Sequence, residues 1–398
     1  MALSISSVCR NITPSATLRL NALAAEKRKQ GQDIISLAAG EPDFPTPAHI
    51  SRAGKAAIDA GRTVYTATAG IPELRAAVAR HYQEQGVNYQ TAQVIVTTGA
   101  KQALIGALYA LLDPGDEVLL PAPCWLSYPE MIRMAGGVPV VIHTTAAQGY
   151  IPDAAQIEAA VSDRTKALIL NNPSNPTGAV WSRDQLQALA ALAGKHDFAI
   201  ISDEIYETLC YDGRSGTIVA GLSEDAFDRT ITVSGFSKAY AMTGWRLGYA
   251  AGPKHIIAAM DAYQGHATGN TCSITQYAGL EALTGDQSGV EEMRLAFEKR
   301  RKLVLSILDD IPGVRYAVPH GAFYVLADVS ALLGKSFRGE KLTSDDRFSE
   351  LLMEHALVSV VPGSGFYAPG CVRISYAIDE GRLAEAGRRI KAFAEELV

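Results

Sequence analysis

Short apolar runs recur through the middle of the chain, and amphipathic stretches separate several of them. The runs lack the alternation of polar and apolar residues that marks a strand with one solvent face. Strands of this kind, connected by helices, are typical of a mainly parallel sheet that is covered on both faces. The predicted strands are residues 94–97, 117–120, 138–143, 167–170, 198–202 and 231–233, and the clearest predicted helices are residues 101–112 and 182–196.

The last third of the chain has a different pattern. A long charged helix is predicted over residues 289–310, and apolar segments at 321–327, 358–361 and 372–376 follow it. Such an order favours a smaller α+β unit. Near the N-terminus, a helix is predicted over residues 14–31, with Ser15 as its N-cap. We therefore expect the chain to be mature, without a transit peptide.

Composition narrows the class of protein. The 398 residues are 48% hydrophobic and 20% charged, and the net charge is −6 without a basic block, which argues against a nucleic-acid binder. Five scattered cysteines form no Cys-x-x-Cys pair, so neither a disulfide framework nor a structural metal site is expected. No apolar stretch approaches the roughly 18 residues of a membrane span. These features predict a cytoplasmic protein.

One strand end carries a lysine. The run at 230–233 gives way to small residues and then to Lys238, with Arg246 eight positions later. A lysine at the mouth of a strand is placed to form an imine with an aldehyde, and an arginine binds phosphate through its planar fork. An aldehyde and a phosphate on one cofactor indicate pyridoxal 5′-phosphate. Taken alone, Lys238 could equally be a surface lysine after an ordinary strand.

Three other strand ends carry polar residues. Asp203 closes an apolar strand, where a pyridinium N–H would meet its charge, although an N-cap role is also open. Tyr206 follows it by three residues, and Asn175 lies between two prolines that hold its loop rigid. The glycine turn at residues 99–101 could present backbone N–H groups to an anion, or it could be only a tight turn.

Residues 36–376 resemble the class I aminotransferases of the fold type I pyridoxal-phosphate enzymes, most closely the bacterial aspartate aminotransferases. The motifs that carry the resemblance are residues 36–44, Tyr65 with 69–75, 171–178, 202–206, 234–248 and 372–376. Pattern and resemblance together predict an α/β fold. A large domain of residues 46–288 would contain a mainly parallel seven-stranded sheet flanked by helices. Residues 1–45 and 289–398 would form the smaller α+β domain.

The resemblance implies a role for each residue around the cofactor ring. Lys238 would form the imine and then carry the proton between the substrate Cα and C4′ of the cofactor. Asp203 would pair with the pyridine nitrogen, Asn175 and Tyr206 would bond the phenolic oxygen, and Trp125 would stack on the ring.

A second group would bind the cofactor phosphate. Backbone N–H groups and Arg246 would hold it. Many relatives also use a serine three residues before the lysine, where this chain has Gly235, so that hydroxyl would come from Ser234 or Ser237 instead. Tyr65 would reach the phosphate of the neighbouring subunit, which implies a homodimer with shared sites. The backbone groups are those of Gly99, Ala100 and Lys101.

Substrate binding follows from the same resemblance. Arg373 would clamp the α-carboxylate, helped by Asn175 and the backbone of Gly40, with Trp125 alongside. Lys101 could bind a distal carboxylate, or it could only open a helix and point to solvent. Aspartate and glutamate would then be donors in a ping-pong reaction, with oxaloacetate and 2-oxoglutarate as acceptors. Prephenate, aromatic or alanine preference stays open, and a C–S β-lyase of the same fold is a further alternative.

Overall fold

The computed structural model describes residues 3–10, 12 and 16–398. Its strands are β1 (Ile35–Ser36), β2 (Val94–Thr97), β3 (Glu117–Ala122), β4 (Val138–His143), β5 (Thr165–Asn171), β6 (Ala199–Asp203), β7 (Thr230–Gly235), β8 (Gly248–Ala251), β9 (Arg315–Tyr316), β10 (Tyr324–Asp328), β11 (Ser336–Phe337), β12 (Glu340–Lys341), β13 (Val358–Ser359), β14 (Val361–Pro362) and β15 (Cys371–Ser375).

Helices separate most of these strands. They are α1 (Ser7–Arg10), α2 (Ala16–Lys29), α3 (Ala48–Asp59), α4 (Pro72–Glu84), α5 (Ala100–Leu111), α6 (Ser127–Met134), α7 (Ala154–Ala159), α8 (Arg183–His196), α9 (Glu224–Arg229), α10 (Phe236–Ala239), α11 (Lys254–Ala267), α12 (Ser273–Thr284), α13 (Ser288–Asp309), α14 (Asp345–His355) and α15 (Glu380–Glu395). The predicted N-terminal helix is present as α2, and its expected cap Ser15 lies outside the described residues. No helix in the described ranges is long and apolar enough to cross a membrane.

The large sheet has seven strands in the order β2-β8-β7-β6-β5-β3-β4. Strand β8 runs antiparallel to both of its neighbours, and the pairs from β7 to β4 are parallel. The mainly parallel seven-stranded sheet is therefore confirmed. Successive side chains of β3 enter different apolar clusters, because Val118 and Leu120 pack on one face and Leu119 on the other. Both faces are covered, which explains why the strands read as continuous apolar runs.

A second, antiparallel sheet of order β14-β15-β10-β9 lies in the C-terminal part of the chain. Helices α13, α14 and α15 pack on it around an apolar cluster that includes Phe297, Phe348 and Phe393. This arrangement confirms a smaller α+β unit.

Two sequence predictions about strands had wrong bounds, and one strand of the large sheet was missed. The predicted strand 321–327 begins only at Tyr324, because Gly321 pairs with Cys210 and Ala322 has a positive φ of 55°. The predicted strand 358–361 is two strands, since β13 pairs with β1 and β14 with β15. Strand β8 was not predicted at all. It begins with Gly248, where a Cβ would lie 2.4 Å from the backbone nitrogen of Ala100. The glycine allows this close packing, but it also removes the apolar side chain that would have indicated a strand.

Candidate active site

A cavity of about 280 Å³ lies at the carboxyl ends of β5, β6 and β7, beside the N-terminal end of α5. Ligands of open α/β sheets bind at this edge. The cavity brings together the sequence-predicted site residues except Gly99, Tyr65 and the alternative serine Ser234. The predicted residues that line it are Gly40, Ala100, Lys101, Trp125, Asn175, Asp203, Tyr206, Ser237, Lys238, Arg246 and Arg373.

Lys238 lies on the short helix α10, directly after β7. Its Nζ donates a hydrogen bond of 2.5 Å to the carbonyl oxygen of Gly40. Burial lowers the pKa of Lys238 from its ordinary 10.5 to about 8. The nearby Arg373 and Arg246 act in the same direction, and Glu41 opposes them. A larger fraction of this amine is therefore neutral, and nucleophilic, than of an ordinary lysine.

Asp203 is the last residue of β6 and is buried. The hydroxyl of Tyr128 donates to its Oδ2 at 2.6 Å, and the backbone N–H of Ile205 donates to its Oδ1 at 3.3 Å. Burial raises the pKa of Asp203 to about 6, although both hydrogen bonds lower it. Asn171, the last residue of the neighbouring strand β5, lies beside Asp203, and its Nδ2 donates to the Asp203 carbonyl oxygen. Such a site favours a cationic N–H as a further partner.

Arg373 on β15 is buried and has no carboxylate within ion-pair distance in the described part of the chain. Its Nη1 donates to Asn175 Oδ1 at 3.0 Å and its Nη2 to the Ala38 carbonyl oxygen at 2.9 Å. Its Nε has no hydrogen-bond partner. The ring of Tyr324 lies 4.4 Å from the guanidinium carbon. A buried guanidinium held only by neutral groups is suited to bind a carboxylate.

The glycine turn and Arg246 form one wall of the cavity. Gly99 precedes α5 with φ +81°, and a Cβ there would lie 2.6 Å from Arg246 Nη2. Gly99 thus stands directly against the guanidinium, although it is not among the lining residues. Ala100 and Lys101, at the start of α5, line the cavity, and the first N–H groups of a helix have no partner within the helix, as an anion site requires. Of the two candidate serines, Ser237 lines the cavity, whereas the hydroxyl of Ser234 donates to Glu207 Oε1 at 2.9 Å.

Lys101 lines the cavity, although it is exposed to solvent. Its Nζ lies 4.7 Å from the centroid of the Trp125 ring and 3.4 Å from Ser127 Oγ. Burial lowers the pKa of Lys101, and Arg246 adds to this effect. The amine therefore lies at the cavity rather than pointing away from it. Tyr65, in contrast, is 93% exposed and contributes nothing to the cavity of its own chain.

Several cavity residues were missed from the sequence. Tyr128 bonds Asp203, Asn171 Oδ1 accepts from the backbone N–H of Asn175 at 2.7 Å, and Tyr324 bonds the hydroxyl of Tyr206 at 3.0 Å. Asn171 lies inside a predicted motif and could have been found there. Tyr128 and Tyr324 come from α6 and β10, so only the tertiary structure brings them to the site.

Comparisons of the sequence with known families and known proteins indicate the same family. Residues 32–390 match the family described as aminotransferase class I and II. The chain is similar to an aspartate/prephenate aminotransferase of Cereibacter sphaeroides, with 47% identity over 396 residues, which are 99% of this chain and 99% of that protein. It is also similar to an aspartate aminotransferase of Bacillus sp. strain YM-2, at 44% identity over 97% of this chain and 98% of that protein.

Solved structures agree with these relatives. The fold is similar to the crystal structure of the aspartate aminotransferase from Rhizobium meliloti, with a TM-score of 0.96, 41% identity and 100% of both chains covered. It is also similar to the aspartate aminotransferase from Thermus thermophilus with maleate, with a TM-score of 0.93, 44% identity and coverage of 98% of this chain and 100% of that one.

Proposed function

The chain belongs to the class I and II aminotransferases, and from that premise we propose that it binds pyridoxal 5′-phosphate in this cavity through a covalent link to Lys238. The observation that carries the proposal is the buried Lys238 amine with a pKa of about 8, which lies in one cavity with Asp203 and Arg246. When bound, this cofactor withdraws electrons from the substrate Cα and so eases loss of its proton.

The residues present fit each part of this cofactor. Asp203 would accept from the pyridinium N–H, because with a pKa of about 6 it is mainly ionised at neutral pH, and a cationic donor offsets the cost of burying that charge. Tyr206 and Asn175 would bond the phenolic oxygen. Trp125 would cover one face of the ring.

The phosphate would lie at the start of α5. There the backbone N–H groups of residues 99–101 and the guanidinium of Arg246 supply donors and positive charge. Ser237 would add a hydroxyl, whereas Ser234 is engaged with Glu207 on the other side of β7. The absence of a side chain at Gly99 leaves room for the arginine.

Lys238 would also move the proton. The lowered pKa leaves about one Lys238 amine in ten neutral at neutral pH, far more than for an ordinary lysine, so this Nζ could accept a proton from the substrate Cα. The same Nζ would then return the proton at C4′ of the cofactor. The hydrogen bond to the Gly40 carbonyl oxygen keeps Nζ at the mouth of β7.

Arg373 would bind the substrate α-carboxylate. Asn175 Oδ1 and the Ala38 carbonyl oxygen fix the orientation of the guanidinium, and Nε is still without a partner. Bidentate pairing with a carboxylate would satisfy this group and neutralise its buried charge. The backbone of Gly40 borders the same part of the cavity.

We propose aspartate and glutamate as amino donors, with 2-oxoglutarate and oxaloacetate as acceptors in a ping-pong cycle. Lys101 supplies the second cation that a distal carboxylate needs, and its position over Trp125 places it at the cavity. The name of the Cereibacter relative supports prephenate as a further acceptor, because prephenate also carries a 2-oxo acid group and a second carboxylate.

The proposal extends to assembly and organisation. The exposed Tyr65 would reach the cofactor phosphate of a second copy, so we propose a cytoplasmic homodimer with shared sites. The large domain would comprise residues 46–288 and the small domain residues 1–45 and 289–398. The small domain would carry Arg373 toward the cofactor that the large domain holds.

Cofactor attachment tests the proposal directly. The purified chain is loaded with pyridoxal 5′-phosphate, reduced with borohydride and mapped by peptide mass spectrometry. We expect the added mass on Lys238, and none in a Lys238→Ala variant. Attachment spread over exposed lysines such as Lys195, with Lys238 unmodified, would contradict the assignment.

A further inference from the structure

Tyr206 and Tyr324 form a hydroxyl pair inside the cavity. Their oxygens are 3.0 Å apart, and their rings meet edge to face with centroids 5.8 Å apart. Both side chains are buried, and among the described residues neither hydroxyl has another hydrogen-bond partner. Each hydroxyl has one proton to donate, so one tyrosine of the pair donates and the other accepts.

We infer that Tyr324 is a positioning residue that fixes the direction of the Tyr206 proton. The inference rests on the proposed function, in which Tyr206 donates to the phenolic oxygen of the cofactor. If Tyr324 donates to Tyr206, the proton of Tyr206 is left free for that oxygen. Tyr324 thus acts on the cofactor only through Tyr206.

The fold holds Tyr324 firmly in this place. It is the first residue of β10, where it pairs with Ser375 of β15. Leu326, two residues later, pairs with Arg373, so Tyr324 and Arg373 are diagonal neighbours on the same side of the sheet. The guanidinium carbon of Arg373 lies 4.4 Å from the Tyr324 ring centroid. Such a contact between a cation and a ring fixes the ring and therefore its hydroxyl.

Gly40 adds a second constraint on the hydroxyl. A Cβ at Gly40 would lie 3.5 Å from the Tyr324 oxygen, so the backbone that accepts from Lys238 also borders this hydroxyl. Tyr324 therefore adjoins three groups that the proposed function uses. These are Arg373, the backbone of Gly40 and the hydroxyl of Tyr206. The charged groups that act on the tyrosine pair are Arg373, Asp203 and Glu41.

The test is a spectroscopic pH titration of the lysine–cofactor linkage in the loaded protein. A donor to the phenolic oxygen draws negative charge away from the linkage and lowers its pKa. Tyr324→Phe removes the hydroxyl but keeps the ring under Arg373. We expect it to raise the linkage pKa by about half a unit, the size of one neutral hydrogen bond. Cofactor binding itself should change little.

A double-mutant cycle separates the relay from a general packing effect. In a Tyr206→Phe background the relay has no hydroxyl to act through, so Tyr324→Phe should add no further shift. Tyr376→Phe is the matched control, because Tyr376 is also buried and its hydroxyl donates to the Ala322 carbonyl oxygen at 3.2 Å instead. This control should leave the titration unchanged.

Replacing Tyr324 by a difluorotyrosine gives a prediction of opposite sign. The more acidic phenol is a stronger donor, so the linkage pKa should fall rather than rise, even if Tyr324→Phe proved unstable. The inference is overturned if Tyr324→Phe titrates like the wild type or if its shift is the same with and without Tyr206. A wild-type chain that takes up no cofactor would instead overturn the proposed function, and the inference with it.

Discussion

Capture of the cofactor by the apo chain should follow the protonation of Lys238. Only the neutral amine attacks an aldehyde, and burial lowers the pKa of this lysine from 10.5 to about 8. At neutral pH about one amine in ten is then neutral, against roughly one in three thousand for an ordinary lysine. The lowered pKa is therefore worth about 300-fold in the concentration of reactive amine.

Stopped-flow measurement of pyridoxal 5′-phosphate capture between about pH 6 and about pH 10 tests whether the amine of Lys238 has this lowered pKa. The rate should rise about tenfold per pH unit up to about pH 8 and then level off. Glu41→Gln should move the midpoint to lower pH, because its carboxylate favours the charged lysine. A rate that keeps rising through about pH 10 would refute the reasoning, since it would show an ordinary lysine.

The same pKa has a consequence for stability. Between about pH 8 and pH 10.5 the unfolded lysine binds a proton that the folded one has lost, so this lysine makes stability rise with pH in that window. The lowering of the Lys238 pKa from 10.5 to about 8 reduces the free energy of unfolding by about 3 kcal/mol, and this cost is fully present below about pH 8. Lys238→Met should remove the cost, so its advantage in free energy of unfolding over the apo wild type should shrink as pH rises. A constant difference would contradict the lowered pKa.

Two further predictions concern the ends of the cavity. Lys101→Ala should lower kcat/KM for aspartate and glutamate about tenfold, which is the contribution of one partly exposed charge pair. The same change should barely affect kcat/KM for alanine. An equal loss for all three substrates would mean that Lys101 has only a structural role. Gly99→Ala should weaken cofactor binding in equilibrium dialysis at least about tenfold, because its Cβ would meet Arg246 Nη2 at 2.6 Å. Gly61→Ala is the matched control, since Gly61 also has a positive φ but no atom within 4 Å of the added Cβ; equal affinities in the two variants would count against the phosphate wall.

The sequence predicted those parts of the fold and site that depend on local pattern. Asp203 and Lys238 stand where apolar runs end, and a parallel sheet brings such ends to one edge. Residues whose place depends on distant packing were missed. Tyr128 reaches Asp203 across 75 positions, and Tyr324 reaches Tyr206 across 118.

Two other features escaped for different physical reasons. Strand β8 begins with a glycine that lies against the start of α5 and continues with a tyrosine and two alanines, so it lacks the run of Val, Ile and Leu that marks the other strands. Tyr65 lies on the surface of the single chain, and its proposed role depends on a second copy.

A single-turnover spectrum tests the central claim most directly. The loaded protein is mixed in turn with aspartate, glutamate, phenylalanine and alanine, and the loss of the absorbance of the lysine-linked cofactor is followed. We predict fast loss with aspartate and glutamate and slow loss with the other two, because Arg373 and Lys101, which both line the cavity, would provide cations for two carboxylates. Conversion led by phenylalanine or alanine would contradict a dicarboxylate aminotransferase while leaving the family unchanged.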